Sequence, residues 1–471
     1  MISVKLKNTG MLNSIFGILC FFLLGIISTF LDTFILFHFA LFIGMIILIY
    51  CHDRRTLMVF TIMTVFQNMY LIIFSISMEP IDVQLSIIVK ELIIYVIAVF
   101  FYFRYLLQKS AFRIDDILLI LLLLLLILAV IRPGGGMSAK ITALRQICIP
   151  PLCILFGSSL LLSHKKINSY FIFLNSLIAL FCLLGLYIYI SPNHIWNIMN
   201  YDVYYFNKNN MPYDGSFANF YSYDFGPRLK RFVSTTADPI ATAHLLYFAL
   251  VYLLFSFKRR YLLLKLVVIS CCVLCFSKTL IFMAFTTIIL LCYLKIKTKK
   301  WRIIASLLIV IGLIFSFSII TLYLATIEIN TATGNHLMSF MYGLNNNTFW
   351  GDGLGTAGFN VITTGGDVEH GEATESFFAV LISQIGIIGT IAFYGYLVAK
   401  IHMLIVLYRQ YNDPYILPTI CLLTGVTLES LVSGSSITML GTGLYFIMSG
   451  VVEKNRYDRS KEKGIIKEYQ R

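Results

Sequence analysis

The two long polar stretches of the chain, 191–237 and 323–374, contain no cysteine, so no disulfide framework holds them. The ten cysteines lie mostly inside apolar runs. Cys271, Cys272 and Cys275 have no neighbouring His or acid and read as small core residues, not a metal cluster. Charge is missing from whole segments: residues 303–324 carry none, and 117–131 is almost unbroken Leu and Ile. The runs show none of the strict alternation that a membrane β-barrel requires. No internal repeat is visible. No Asp-x-Asp pair occurs in the second polar stretch, which removes one familiar way of holding a divalent metal.

What is present is apolar surface. Hydrophobic residues make up 59% of the 471, and the mean hydropathy is +0.85. A soluble domain is nearer half apolar, so lipid must solvate the excess. Continuous runs of about 20 apolar residues match the thickness of a hydrocarbon core and let helices satisfy their own backbone. The reading is an all-α, polytopic membrane protein with about fourteen spans. The spans are 11–30, 33–50, 57–77, 85–103, 115–131, 143–162, 168–190, 239–257, 261–277, 279–294, 303–322, 386–408, 415–432 and 437–452.

The formal net charge of +13 is distributed in short clusters between these runs, such as Arg54-Arg55, Lys165-Lys166 and Lys258-Arg259-Arg260. Cytoplasmic loops have this pattern, which argues against nucleic acid as a partner. Lys5 and Lys7 precede the first run, no small-x-small cleavage site follows, and the tail 453–471 is basic. Both termini are therefore expected in the cytoplasm, with an uncleaved first helix. In this orientation the outward basic residues are Arg132, Lys140, Arg145, Lys208, Arg228, Lys230, Arg231 and Lys278. The stretches 191–237 and 323–374 become two long periplasmic loops on one face, able to share a cavity. Loops of such length are usually functional or disordered. A short helix over 375–385, at or partly in the outer surface, is expected to lead into the span at Gly386.

Cations on this face are not needed for topology. Arg145 and Arg231, with Lys278, Arg228 and Lys230, suit a pyrophosphate, because a guanidinium donates paired hydrogen bonds to phosphate oxygens. Interfacial snorkelling is the alternative. Asp238-Pro239 reads first as an N-cap with proline at the first helical position. Gly353 and Gly355 lie in a run that formally matches a dinucleotide fingerprint but lacks its strand–helix frame, so they are read as places of close backbone approach. His370 stands among acids that favour its imidazolium, and Glu375 begins a helix; each is a candidate base or, respectively, a surface histidine or helix cap. Glu369, Glu372 and Glu375 recur at spacing three, but Gly371 weakens a helical metal site, and none is assigned. Lys90, Glu91 and Glu429 are charges inside spans, functional candidates by their cost.

Several of these segments, in this order, resemble the O-antigen polymerase and ligase superfamily of bacterial polysaccharide biosynthesis. They are Ala143-Leu144-Arg145, Arg231-Phe232-Val233-Ser234 through Asp238-Pro239, Cys275-Phe276-Ser277-Lys278-Thr279, Trp350-Gly351-Asp352-Gly353-Leu354-Gly355, and Thr374-Glu375-Ser376-Phe377 followed by Gln384-Ile385-Gly386. The resemblance spans roughly residues 140–400. Ser234 and Ile240 replace a family glycine and asparagine, and Gln384-Ile385 stands where an acid is usual. The resemblance implies a glycosyltransferase of the inner membrane that polymerises undecaprenyl-pyrophosphate-linked repeat units into O-antigen or capsular polysaccharide. It implies Glu375 or His370 as base, and Arg231, Arg145 and Lys278 on the leaving pyrophosphate. No cofactor is expected; membrane lipid, a chain-length regulator and a flippase are the expected partners. A ligase of the same superfamily, or a flippase or other transporter of lipid-linked oligosaccharide, are the alternatives.

Overall fold

A computed structural model describes residues 54–107, 112–160, 162–209, 220–222, 229–257, 259–296, 298, 332–345, 348–358, 375–411 and 413–462. The expected spans 11–30, 33–50 and 303–322 lie outside these residues, as do Arg228, Glu369, His370 and Glu372.

The described chain is mostly helical. Its long elements are α1 (Arg54–Ile73), α2 (Pro80–Leu107), α3 (Ile114–Ile131), α4 (Met137–Ser159) and α5 (His164–Ile190). Two short helices follow, α6 (Pro192–Ile198) and α7 (Tyr201–Asn209), then a two-residue ribbon, β1 (Tyr221–Ser222) antiparallel to β2 (Leu229–Lys230). The chain continues as α8 (Pro239–Phe255), α9 (Leu262–Leu274), α10 (Lys278–Lys295), α11 (Ala332–Asn345), α12 (Phe377–Tyr411), α13 (Ile416–Glu429) and α14 (Met439–Glu462). Six of these, α1, α3, α4, α5, α10 and α12, are long and apolar enough to cross a membrane. On α3, Leu119, Leu122 and Leu126 are buried while Leu124, Ile127 and Leu128 stay exposed on the opposite side. Such an unpartnered apolar face fits lipid as its solvent.

The long helices run in both directions through the bundle. At one end, α3, α9 and α13 finish and α4, α8, α10, α12 and α14 begin; it is called the Glu375 end here, and the opposite one the Glu453 end. The most extensive helix contact is α4 with α14, followed by α3 with α12 and α2 with α4. Small residues set the first of these: a Cβ on Gly157 would fall 1.9 Å from the Ile447 carbonyl, and one on Gly450 2.0 Å from that of Ile154.

One described segment that departs from α-helix inside the bundle is covered by protein, as a membrane interior demands. Residues 232–236 are buried between α1, α5, α8 and α9. Their hydroxyls and carbonyls are matched: Ser234 Oγ donates to the Phe181 carbonyl (2.7 Å), Thr235 Oγ1 to that of Val65 (2.8 Å), and Asn68 Nδ2 to that of Thr236 (2.5 Å). The last part of the first polar stretch is thus core, and 192–209 within it is helical. The second polar stretch contains a further helix, α11. The short helix expected at the surface over 375–385 instead starts at Phe377, and nearly every side chain from Phe377 to Ile385 is buried. Its apolar sequence finds partners in α11 and α13. It ends at Gly386, whose φ of 72° only glycine adopts easily and where a Cβ would meet the Phe349 carbonyl at 2.4 Å.

Candidate functional site

Several polar residues singled out in the sequence lie at the Glu375 end, in two groups.

The first group is built by α2, α4, α11, α12 and the 430–438 segment. Arg145, on α4, faces α2, where its Nε lies 2.9 Å from Glu91 Oε2. Glu91 is buried and Arg145 remains 23% exposed, so one edge of the guanidinium is neutralised while the side chain still reaches the surface. Glu91, a puzzle as an intramembrane acid, thereby finds its cation on a neighbouring helix. Next to Arg145, Gln146 Nε2 donates to the carbonyls of Gly434 (3.0 Å) and Ile437 (3.3 Å). Gly434 N in turn donates to the Glu375 carbonyl at 2.6 Å.

Glu375 does not cap α12. Ser376 does, its Oγ accepting from Ala379 N at 3.3 Å. The Glu375 carboxylate is 38% exposed and turns toward His336 of α11, whose Nδ1 lies 3.4 Å from Oε2 and 3.1 Å from the Glu375 carbonyl oxygen. Ser339, one turn along α11, accepts from the backbone N–H groups of Glu375 (3.2 Å) and Ser376 (3.0 Å). The histidine beside Glu375 is therefore His336, which the sequence reading passed over. It lies in the stretch 323–374, which reads from the sequence as a loop, 39 residues before its partner, so no local signal marked it.

The second group surrounds the turn between α9 and α10. Arg231 follows the β-ribbon; its Nε donates to the Cys275 carbonyl at 3.1 Å, and Phe232 N donates to that of Leu274 at 2.9 Å. Lys278, three residues beyond Cys275, opens α10 and is exposed. Lys230 donates to the Tyr189 carbonyl and lies 4.7 Å above that ring; burial pushes its ammonium below the ordinary lysine value. Arg231 and Lys278 are thus brought to one turn, while Lys230 is engaged in fastening the ribbon to α5.

Other expected participants have structural work. Asp238 Oδ1 accepts from Ile240 N (2.8 Å) and Ala241 N (3.2 Å), with Pro239 opening the helix, so Asp238 is the cap of α8. Gly353 (φ 103°) and Gly355 (φ 81°) do permit close backbone approach, and the backbone that approaches is the chain's own. A Cβ on Gly353 would fall 2.5 Å from the Pro133 carbonyl, and one on Gly355 3.0 Å from Ala139. Arg132 reaches back to the carbonyls of Trp350 (2.5 Å) and Gly351 (3.0 Å), and Lys140 to those of Val130 (3.0 Å) and Arg132 (2.6 Å). Two of the cations expected to face outward therefore close the end of α3 over the glycine-rich turn. Among the described residues no three His, Cys, Asp or Glu side chains gather as a metal ion would require. Cys271, Cys272 and Cys275 are buried free thiols.

Two further charge clusters are buried. His244 of α8 and Glu429 of α13 meet at 3.0 Å beneath the Glu375 end. At the Glu453 end, Lys400 Nζ lies 2.8 Å from Asp115 and 2.9 Å from Glu453, and Arg113 joins the same two acids at 2.7 and 3.1 Å. Comparison with known proteins finds no family model and no curated protein that matches this sequence.

Proposed function

We propose that the protein is a glycosyltransferase of the bacterial inner membrane, with both termini in the cytoplasm and the Glu375 end at the periplasmic face. On this reading it extends undecaprenyl-pyrophosphate-linked oligosaccharide repeat units into O-antigen or capsular polysaccharide. The observation that carries the reading is the joining of Arg145 to Glu375 through Gln146 and Gly434, at the same end of the bundle as Arg231 and Lys278. On this reading the exposed Glu375 carboxylate and these cations border one surface that a lipid diphosphate approaches from the membrane.

The chemistry follows from those groups. Glu375 takes the proton of an acceptor sugar hydroxyl, with His336 beside it to hold its orientation. The hydroxyl oxygen forms a bond to the donor's anomeric carbon, and the bond from that carbon to the lipid pyrophosphate breaks. The leaving diphosphate carries away the electron pair, and Arg231, Arg145 and Lys278 stabilise its charge. Cations already held in place by the fold, as Arg145 and Arg231 are, do this with little reorganisation. The activated bond arrives on the lipid, so no nucleotide is consumed.

The test is reconstitution of the purified full chain in liposomes with a lipid-linked repeat unit. A ladder of lipid-linked products of increasing length supports a polymerase. Transfer of a preformed polymer to a different acceptor without lengthening identifies a ligase, and movement of the substrate across the bilayer without any product identifies a transporter.

A further inference from the structure

The His244–Glu429 pair takes no part in the chemistry above, yet it is buried more deeply than any group that does. The His244 side chain is fully buried and that of Glu429 is 3% exposed. His244 Nδ1 faces the Ile240 carbonyl at 2.9 Å, and Nε2 faces Glu429 Oε2 at 3.0 Å. A carbonyl only accepts, so Nδ1 carries a hydrogen; one further proton must then lie between Nε2 and Oε2, or two lone pairs would oppose each other. Tyr445 of α14 closes the arrangement by donating to the His244 carbonyl at 2.6 Å. Among the described residues, His244 is the only basic side chain paired with Glu429.

Glu429 is also where α13 ends and the 430–438 segment begins. Its carbonyl accepts from Val432 N (3.0 Å) and Ser433 N (2.9 Å), turning the chain back over the pair. The segment is then tied to the start of α12 by three bonds: Gly434 N to the Glu375 carbonyl (2.6 Å), Ser376 Oγ to the Leu431 carbonyl (2.7 Å), and Phe378 N to the Ser430 carbonyl (3.2 Å). On its other side it receives both bonds from Gln146, next to Arg145. One segment between α13 and α14, with a 3-10 turn at Gly434–Ser436, therefore sets the spacing between Glu375 and Arg145, and the buried pair fastens its root.

We propose that His244 and Glu429 are positioning residues: they hold the 430–438 segment so that Glu375 and Arg145 keep their mutual spacing. The consequence for turnover rests on the reading of those two side chains as working groups, whereas the hold on the segment does not. The pair acts as a hydrogen-bonded fastening. Glu429→Gln preserves it, because the new amide donates to Nε2 of a neutral His244. His244→Leu and Glu429→Leu do not.

The experiment is amide hydrogen exchange on the full chain in lipid nanodiscs, alongside turnover of a lipid-linked repeat unit. His244→Leu is expected to raise exchange in 430–438 and 375–378 by about tenfold, with segments at the Glu453 end unchanged. Glu429→Gln is expected to keep wild-type exchange there and wild-type turnover. Unchanged exchange in His244→Leu overturns the proposal. So does a Glu429→Gln variant as inactive as Glu429→Leu, which makes the shared proton itself the agent. Should His244→Leu not fold, Glu429→Gln decides alone: raised exchange in the segment overturns the proposal, and wild-type exchange with wild-type turnover supports it. A wild-type protein that consumes no lipid-linked glycan sinks the functional reading, and the exchange pattern still decides what holds the segment.

Discussion

His336 Nδ1 reaches both the carbonyl oxygen and, at 3.4 Å, the carboxylate of Glu375, joining α11 to the start of α12. The two side chains are each about a third exposed, 34% and 38%, so neither is there to fill a core. Ser376 already caps the helix, which frees the Glu375 carboxylate for another use.

The first prediction is that Glu375→Gln lowers turnover of a lipid-linked repeat unit by roughly 10²–10⁴-fold, the range that loss of a general base produces. The protein should still reach the membrane in normal amount, because a partly exposed carboxylate contributes little to folding. His336→Ala should lower turnover less, since it removes the neighbour and leaves the base. Steady-state rates with purified variants decide this; full activity in Glu375→Gln would remove Glu375 as the base.

Arg145 carries two duties that a double substitution separates. Its pair with Glu91 is shielded on the acid's side, so Arg145→Ala strands a buried carboxylate, at a cost of about 3–5 kcal/mol. The prediction is a large fall in thermal unfolding temperature for Arg145→Ala and recovery of most of it in Arg145→Gln with Glu91→Gln. Turnover should stay low in both, because neither returns a cation to the site. Recovery of activity together with stability would mean that Arg145 serves only to neutralise Glu91.

The helices themselves were readable because apolar run length is a property of contiguous residues. The span expected over 115–131 is α3, and that over 168–190 lies within α5. The local roles of some polar residues were readable too. Asp238 as a cap followed from Asp-Pro at a helix start, a local signal, and Arg231 and Lys278 followed from their place beside apolar runs. What stayed hidden is long-range pairing. Glu91 and Arg145 come from different helices, as do His244 and Glu429, and nothing in the spacing of either pair announces its partner. Gly353 and Gly355 show a different limit: a glycine marks close approach, but the sequence does not say whether a ligand or the chain itself approaches.

Arg231 and Lys278 differ in how far each is built into the fold, and their variants should differ accordingly. Lys278 is exposed at the start of α10, so Lys278→Ala should leave stability unchanged and weaken use of the substrate. Arg231 also donates to the Cys275 carbonyl, so Arg231→Lys keeps the charge while losing that bond, a change of about 0.5–1.5 kcal/mol. Arg231→Lys should therefore show a small loss of thermal stability and partial activity, and Arg231→Ala none of the activity. Equal activity in Arg231→Ala and wild type would place the diphosphate elsewhere.

The Lys400 cluster offers the control that these variants need. Lys400 is 6% exposed and lies between Asp115 and Glu453, joining α3, α12 and α14 far along the helices from Glu375. Lys400→Met leaves Asp115 and Glu453 to Arg113, which also lies near Asp116, and a buried pair broken from one side costs about 3–5 kcal/mol. The unfolding temperature should drop as far as it does in Arg145→Ala. Turnover per folded molecule should nevertheless match wild type, because the groups bordering the Glu375 end are untouched. Measuring the two variants side by side separates loss of fold from loss of chemistry. If Lys400→Met also abolished turnover in its folded fraction, the two ends of the bundle would be coupled, and activity lost in Arg145→Ala could no longer be assigned to the cation itself.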